Sequence, residues 1–416
     1  MTERSVATVD LADPNLYQRG IPHDVFTELR RRPGLTWNAI AGDPTDGFWA
    51  VTRHDDLVTV SRDPDTFSSA VGHIQIYDID EDALAARASM IDLDPPVHTR
   101  LRRLVSSAFT PRHVQGYRDA ITERVHARLD ALIEAGGGDW VDLVAAPIPI
   151  GVICDLMGVP EADHGYMIEL SDHLVAGTSS QPLDPEAYGN TTDLRLLPFN
   201  SPAAHGINAY AIDLGERRRR TPEDDLITRL VEAEIEGDRL TDAEFANFFR
   251  LMIFAGNETT RSSIAHLALH LTHFGAAFGR VREDRAMLDS LVEEVIRYSS
   301  PILYFRRTAT VDTELAGTPI AAGDKVVMWY ASANFDEAQF PDPLTFDPAR
   351  PTLPPHVAFG GGGAHFCLGA SLARLELQIL IDAIMTRNIT IDVVGDPTFV
   401  DSNFVNGIEH LEVRLP

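Results

Sequence analysis

The richest chemistry in the chain surrounds Cys367. This cysteine lies in the run Phe359-Gly360-Gly361-Gly362-Gly363-Ala364-His365-Phe366-Cys367-Leu368-Gly369. Leu368, Leu372, Leu375 and Ile379 follow at spacings of four, three and four. They share one face of a helix, which predicts a helix beginning close to Cys367. A thiol at a helix N-terminus faces unpaired backbone N–H groups and the positive end of the dipole, and both favour the thiolate, a metal ligand. The glycines carry no side chains, so a large flat group can lie against this backbone, and positive φ lets the loop wrap the sulfur. A phosphate-binding loop would need Gly-Lys-Ser/Thr here, and a dinucleotide fingerprint a third spaced glycine after a strand. A thiolate zinc site lacks its second cysteine, and a hydrolase nucleophile has no use for four successive glycines. On this loop alone, a glycine-rich turn around an inert buried cysteine stays open.

Four other stretches carry reactive side chains. Thr241-Asp242-Ala243-Glu244 is a capping box, and the helix it starts runs to about Thr272. Its centre, Phe248 to Phe254, is apolar on all sides and must be buried. Gly256, Asn257, Glu258, Thr259 and Thr260 then interrupt the apolar run. Glycine inside a helix costs about 1 kcal/mol against alanine, and an unpaired buried carboxylate costs more, so a function or an internally satisfied kink must offset them. Upstream, His98 and Arg102 share one face of a helix reaching about Phe109, with Arg100 and Arg103 on the other. Read alone, this is a basic surface helix. Glu294 and Arg297 read alone as a surface pair worth a few tenths of a kcal/mol. The run Ile302-Leu303-Tyr304-Phe305, followed by Arg307, reads as a half-buried strand with one snorkelling arginine.

Taken in order along the chain, these motifs resemble those of the cytochromes P450, the heme-thiolate monooxygenases. The resemblance covers nearly the whole chain and departs from the pattern in two places. The family's aromatic residue stands seven positions before the cysteine, whereas here Gly360 holds that place and Phe359 lies one further out, so the loop is one residue longer. The family's core Glu–Arg pair, matched by Glu294 and Arg297, has a third member in the later proline-rich stretch. Pro343-Leu344-Thr345-Phe346 carries Thr345 there, leaving Arg350 as the substitute.

The resemblance implies that Cys367 is the axial ligand of heme b, whose thiolate aids O–O cleavage throughout the family. His98, Arg102 and Arg307 then pair with the propionates, and His365 completes those contacts. Gly256 leaves room for dioxygen, Thr259 donates to the oxygen ligand, and Glu258 supplies the protons that cleavage consumes. Ala255, Ile302, Leu303, Tyr304, Phe305, Phe404 and Val405 line the substrate pocket, and the segment from Val71 to Asp94 covers it. The implied reaction inserts one oxygen atom of O2 into a C–H bond, with NAD(P)H electrons arriving through a separate acidic ferredoxin and its reductase. Arg100, Arg103, Arg112 and Arg118 would form the basic patch that receives this partner. The stretch from Glu223 to Arg261 and the cysteine loop look like those of actinobacterial hydroxylases of steroids, terpenoids and methyl-branched lipids, which favours a bulky apolar substrate. Tailoring of a polyketide or other secondary metabolite is the alternative substrate class. A peroxygenase would lack the Glu258–Thr259 pair, and a heme-thiolate ligand sensor would need neither electron donor nor proton relay.

The composition fits this reading. With 416 residues and 44% hydrophobic content, the chain can bury a substantial core. No linker or repeat divides it, which predicts one domain over residues 1–416, and the resemblance implies that this domain is mainly α-helical and P450-like, a helical bundle around heme with a small β region. Strands are expected at Trp37 to Ile40 and Phe48 to Thr52, and helices over most of Gln115 to Arg220, interrupted at Gly136-Gly137-Gly138 and at Ser179 to Pro202. The 62 acidic against 35 basic residues give a net charge of −27, which excludes nucleic acid and anionic membranes as partners. Residues 1–20 carry neither signal peptide nor anchor, so a cytoplasmic monomer is expected. Cys154, in the apolar run Ile148 to Met157, reads as a buried structural thiol.

Overall fold

The computed structural model describes residues 9–40, 43–78, 89–106, 109–176, 202–234, 237–351, 353 and 355–416. Of the interruption expected from Ser179 to Pro202, residues 179–201 lie outside them, as do residues 79–88 of the covering segment, and Pro202 begins a helix. In chain order the helices are α1 (His23–Arg31), α2 (His54–Arg62), α3 (Val97–Ser106), α4 (Pro111–Gln115), α5 (Arg118–Ala135), α6 (Pro147–Met157) and α7 (His164–Ala176). They continue with α8 (Pro202–Arg220), α9 (Leu226–Glu232), α10 (Asp242–His273), α11 (Gly275–Glu283), α12 (Leu288–Ser299), the short α13 (Tyr330–Ala333) and α14 (Ala370–Thr386). A mainly α-helical fold with small sheets is therefore what the sequence folds into.

Helix α10 organises the rest. Thr241 caps it by accepting from the Glu244 amide at 3.2 Å, while the Glu244 carboxylate accepts from the Thr241 amide at 2.8 Å. Its 32 residues span ~48 Å at ~1.5 Å each. Phe245, Phe248, Phe249, Ile253 and Phe254 are buried around its first half, as the all-round apolar pattern requires. Helices α6, α7, α8, α12 and α14 all pack against it. The hydrophobic core is continuous from Leu11 to Val413.

The main sheet comprises β1 (Thr36–Ile40), β2 (Asp43–Val51), β3 (Phe67–Ser68), β5 (Tyr304–Ala309) and β8 (Lys325–Trp329), with β4 (Gly137–Asp139), β6 (Thr313–Leu315) and β7 (Thr318–Ile320) lying in smaller sheets. Its order is β1-β2-β8-β5-β3, with β2 and β8 parallel and the other pairs antiparallel. Helix α12 ends at Ser300, whose φ of 40° is left-handed, and Asn334 donates to its hydroxyl at 2.8 Å. That turn sends Pro301 and Ile302 into the wall of a cavity before β5 begins.

Candidate active site

The cysteine loop is built against α2. The Gly360 amide donates to the Val357 carbonyl and the Cys367 amide to the Phe359 carbonyl, both at 2.9 Å, which closes the loop at its base. Ser61 donates to the Gly362 carbonyl at 2.9 Å and the Arg62 Nε to the Gly361 carbonyl at 3.2 Å. A Cβ on Gly363, where φ is +77°, would stand 2.6 Å from the Ser61 carbonyl oxygen, and one on Gly361 would stand 2.9 Å from the Ser61 Cβ. At these two positions glycine is required because a helix end sits there. The space is not reserved for a flat ligand; Gly360, in contrast, does line the cavity.

Helix α14 begins at Ala370, three residues beyond Cys367, with Gly369 as its cap. The Gly369 and Ala370 amides, together with Arg102 and Arg374, act on the sulfur in the expected direction. Removal from bulk water works against them and holds the free thiol above its ordinary value. What surface Cys367 exposes opens onto the cavity. Phe359, despite its shifted position, also lines that cavity. The Arg374 guanidinium lies 4.4 Å above its ring and is fixed in turn by two hydrogen bonds to Glu293, at 2.6 and 2.8 Å. The extra residue of the loop is absorbed by the glycine run, where Gly360, Gly362 and Gly363 all have positive φ.

His98 and Arg102 of α3, Arg307 of β5 and His365 of the loop line the same cavity. The two imidazoles stand 4.3 Å apart, and His365 Nε2 is 3.2 Å from the Ser69 hydroxyl. Burial, reinforced by Arg102 and Arg307, pulls His98 down to about 4, and burial with Arg307 pulls His365 down to about 2, so both rings are neutral near pH 7. Arg102 donates to the Phe366 carbonyl at 2.6 Å, and Arg307 to the Arg306 carbonyl at 2.8 Å. Among the described residues neither guanidinium has an ion-pair partner, although Arg307 is only 3% exposed, and His98 Nδ1 has no hydrogen-bond partner. A buried and a half-buried guanidinium beside two imidazoles, with no carboxylate ion-paired to either guanidinium among the described residues, suit a dianion, and the two propionates of a heme fit them.

Across the cavity stand Ala255, Gly256, Thr259 and Thr260 of α10. The helix passes through this segment unbroken, and Thr259 donates its hydroxyl back to the Ala255 carbonyl at 2.8 Å. The helix therefore does not open beside Gly256 and Thr259. The space beside Gly256 is also taken, since a Cβ there would lie 2.4 Å from Cδ1 of Ile153 on α6. Glu258 is buried but does not line the cavity. It accepts from the side-chain Nδ2 of Asn257 at 3.0 Å and stands 3.7 Å from Arg261. Thr259 and Thr260 flank the cavity, and Glu258, about 100° round the helix from Thr259 on the other side, falls outside the lining.

Of the proposed pocket residues, Ala255, Ile302 and Phe305 line the cavity. Leu303, Tyr304, Phe404 and Val405 form the layer behind it instead: the Leu303 amide donates to the Phe404 carbonyl at 2.9 Å, Ile302 bridges Val405, and the Tyr304 ring packs on Trp329 at 5.0 Å. Sequence reasoning missed Met90, Phe248, Leu251, Met252 and Ile153 as wall residues. Phe248, Leu251, Met252 and Ala255 repeat at helical spacing with Thr259, a stripe hidden because the helix is apolar all round.

Beneath the site, Arg297 holds Glu294 through two hydrogen bonds of 2.7 and 2.8 Å, both side chains being 2% exposed. Arg350 reaches the same carboxylate at 3.2 Å and also binds the carbonyls of Pro341, Asp342 and Thr345, so it takes the third place. Arg100, in contrast, is spent on Asp238 at 3.0 Å and Glu244 at 2.8 Å and drops out of the expected basic patch. Arg103 and Arg112 remain exposed.

A cysteine, two arginines and two histidines on one apolar cavity beneath a threonine-bearing helix are the donor set that a heme-thiolate protein needs. The Cytochrome P450 family model matches residues 14–388, and the chain belongs to that family. It is 43% identical over 399 residues to the methyl-branched lipid omega-hydroxylase of Mycobacterium tuberculosis, a match covering 93% of this chain and 90% of the other. With the steroid C26-monooxygenase of Rhodococcus jostii it shares 37% identity over 97% of this chain and 84% of that one. The fold matches the solved structure of a Mycobacterium marinum cytochrome P450 in complex with pseudoionone with a TM-score of 0.88 and 38% identity over the full length of both chains. The chain is therefore a heme-thiolate monooxygenase. Among the described residues no helix is long and apolar enough to cross a membrane.

Proposed function

We propose that this monooxygenase hydroxylates a bulky apolar molecule, a steroid, terpenoid or methyl-branched lipid, with two electrons drawn from NAD(P)H through a separate acidic ferredoxin and its reductase. The observation that carries the reading is Cys367 on the floor of a cavity of about 1400 Å³, its open mouth included, opposite Thr259. Lining that space, Met90, Phe248, Leu251, Met252, Ile302 and Phe305 offer a ligand only apolar contact. Relatives named for methyl-branched lipids and steroids support the same substrate class.

Cys367 would ligate the heme iron, and His98, Arg102, Arg307 and His365 would hold the propionates. Bound there, heme supplies dioxygen activation: one oxygen atom enters a C–H bond and the other leaves as water, consuming two electrons and two protons. The Thr259 hydroxyl holds a proton at the cavity wall, parked on the Ala255 carbonyl. Glu258 would exchange protons with it from outside the wall, by side-chain rotation or through water. Arg103 and Arg112 provide exposed positive charge for an acidic electron donor on a protein of net charge −27. The deciding measurement is the carbon monoxide difference spectrum of the dithionite-reduced protein. Wild type should give the red-shifted Soret band of thiolate ligation and Cys367→Ser should lack it; an unchanged band in the variant removes Cys367 as ligand.

A further inference from the structure

The turn that carries Pro301 and Ile302 into the cavity wall and the base of the loop that carries Cys367 are separate stretches of chain, and the side chain of Asn334 joins them. Asn334 caps the end of α13 and is fully buried. Its Oδ1 accepts from the Val357 amide at 2.7 Å, and its Nδ2 donates to the Ser300 hydroxyl at 2.8 Å. The orientation is fixed by Val357, whose N–H can only meet an oxygen. Ser300 therefore spends its own hydrogen elsewhere, on the Arg297 carbonyl at 2.8 Å, and Arg297 in turn donates to the Asn334 carbonyl at 2.8 Å. From Val357 the chain runs into Ala358 and Phe359, which line the cavity with Cys367. On its other side the turn hangs from Asn406, whose side chain donates to the Ser299 carbonyl at 2.6 Å and whose backbone amide donates to the Pro301 carbonyl at 2.8 Å. The two bonds of Asn334 hold wall and loop closer than apolar atoms, which meet at ~3.5–4.0 Å, can come.

We infer that Asn334 is a positioning residue: its amide sets the spacing between the Pro301–Ile302 wall and the Phe359–Cys367 loop, and so where a molecule bound in the cavity lies relative to the sulfur. An apolar side chain of the same shape would lengthen each arm by ~0.7–1.2 Å, the difference between the two kinds of contact. A misplacement of ~1 Å is worth about 10²-fold in a reaction that depends on orientation. The Ser300 arm holds the wall and the Val357 arm holds the loop, so the two can be cut separately. The inference deepens the monooxygenase reading and rests on it, since the spacing matters to chemistry only when Cys367 carries heme.

Ser300→Ala cuts the wall arm alone, and Asn334→Leu cuts both arms while keeping the branched shape. Each is read in the full, heme-loaded chain by the carbon monoxide difference spectrum, by the infrared C–O stretch of the same complex, and by heme titration with imidazole and with 4-phenylimidazole. Ser300→Ala should keep the red-shifted Soret band but shift or broaden the C–O stretch. It should weaken 4-phenylimidazole, whose ring meets the wall, by about three- to tenfold and leave imidazole within about twofold, because a gap of ~0.5–1 Å forfeits about a quarter to a half of a contact's attraction. Asn334→Leu should show the same changes and also lose part of the red-shifted band. A merely structural role predicts lower urea midpoints, with the stretch and the ratio of the two affinities unchanged in the heme-loaded fraction. An unchanged stretch or an unchanged ratio in Ser300→Ala overturns the inference alone, and that variant decides if Asn334→Leu takes up no heme. Absence of the red-shifted band from wild type overturns the heme-thiolate reading and the inference with it.

Discussion

Gly256→Ala adds one methyl group where α6 presses on α10. The new Cβ would stand 2.4 Å from Ile153 Cδ1 and 2.7 Å from its Cγ1, far inside the optimum of ~3.5–4.0 Å. Alanine gains about 1 kcal/mol over glycine in a helix interior, while forcing an extra methyl into a packed core costs ~1–3 kcal/mol. The single variant should therefore be neutral to about 2 kcal/mol less stable. Ile153 is fully buried, so Ile153→Ala alone should cost ~2–5 kcal/mol. It also removes both clashing atoms, so in that background Gly256→Ala should show only its helical gain. The double-mutant cycle then gives a favourable coupling of ~1–3 kcal/mol, read from urea midpoints of the heme-loaded protein at unchanged slope. Additivity within ~0.5 kcal/mol would refute the packing account of Gly256. Turnover separates the second role: if Gly256 also keeps space for dioxygen, Ile153→Ala will rescue stability without rescuing product formation.

Thr259→Ala should lower product per NADPH by at least about tenfold, within the range for loss of a proton-transfer group, with peroxide appearing instead; fully coupled hydroxylation would remove Thr259 from the relay. Arg350→Ala strips one charged donor from buried Glu294 and should cost ~1.5–3 kcal/mol of unfolding free energy, the usual worth of a hydrogen bond to a charged group. Stability should also respond to Glu376, a buried acid of α14 that lines the cavity: its folded value of about 8 against an ordinary 4.5 means the native state binds the extra proton between those pH values. Unfolding free energy must then fall as pH rises through that window, by up to ~3 kcal/mol between pH 4.5 and 7 at 1.36 kcal/mol per unit. Urea melts of Glu376→Gln across the same range should lose that component of the slope.

What was legible in the sequence was whatever depends on local period or on a motif with a physical signature. The capping box at Thr241 and the long helix to His273 belong to that class, whereas the convergence of His98, Arg102, Arg307 and His365 with Cys367 was implied by the family resemblance alone. The missed features depend on what arrives from far away. No pattern near Gly256 says that Ile153 fills its space, and nothing near the glycine run says that Ser61 will press on it. Nor does the sequence around Glu258 say that its carboxylate lies outside the cavity lining, beside Asn257 and Arg261. Leu303 and Phe404 were placed in the wall by the family resemblance alone, and their backbone pairing, made across 101 positions, sets them behind it. Glu376 was passed over because an acid among apolar residues on a helix looks like its solvent face until the neighbouring helices are in place.

The docking of the glycine loop on α2 joins residues 301 positions apart, Ser61 and Gly362. At a synthesis rate of ~5–20 residues per second, roughly 15–60 seconds separate their emergence. Until then Arg102 and Arg307 have neither their loop nor any partner for their charge, and no fragment of the chain contains a complete prosthetic-group site. Heme capture is therefore a late event, available to a nearly finished polypeptide alone. Heme supply during expression should accordingly set the yield of mature protein more than the yield of chain, and proteolytic nicking between α2 and the cysteine loop should release the cofactor before it unfolds the helices.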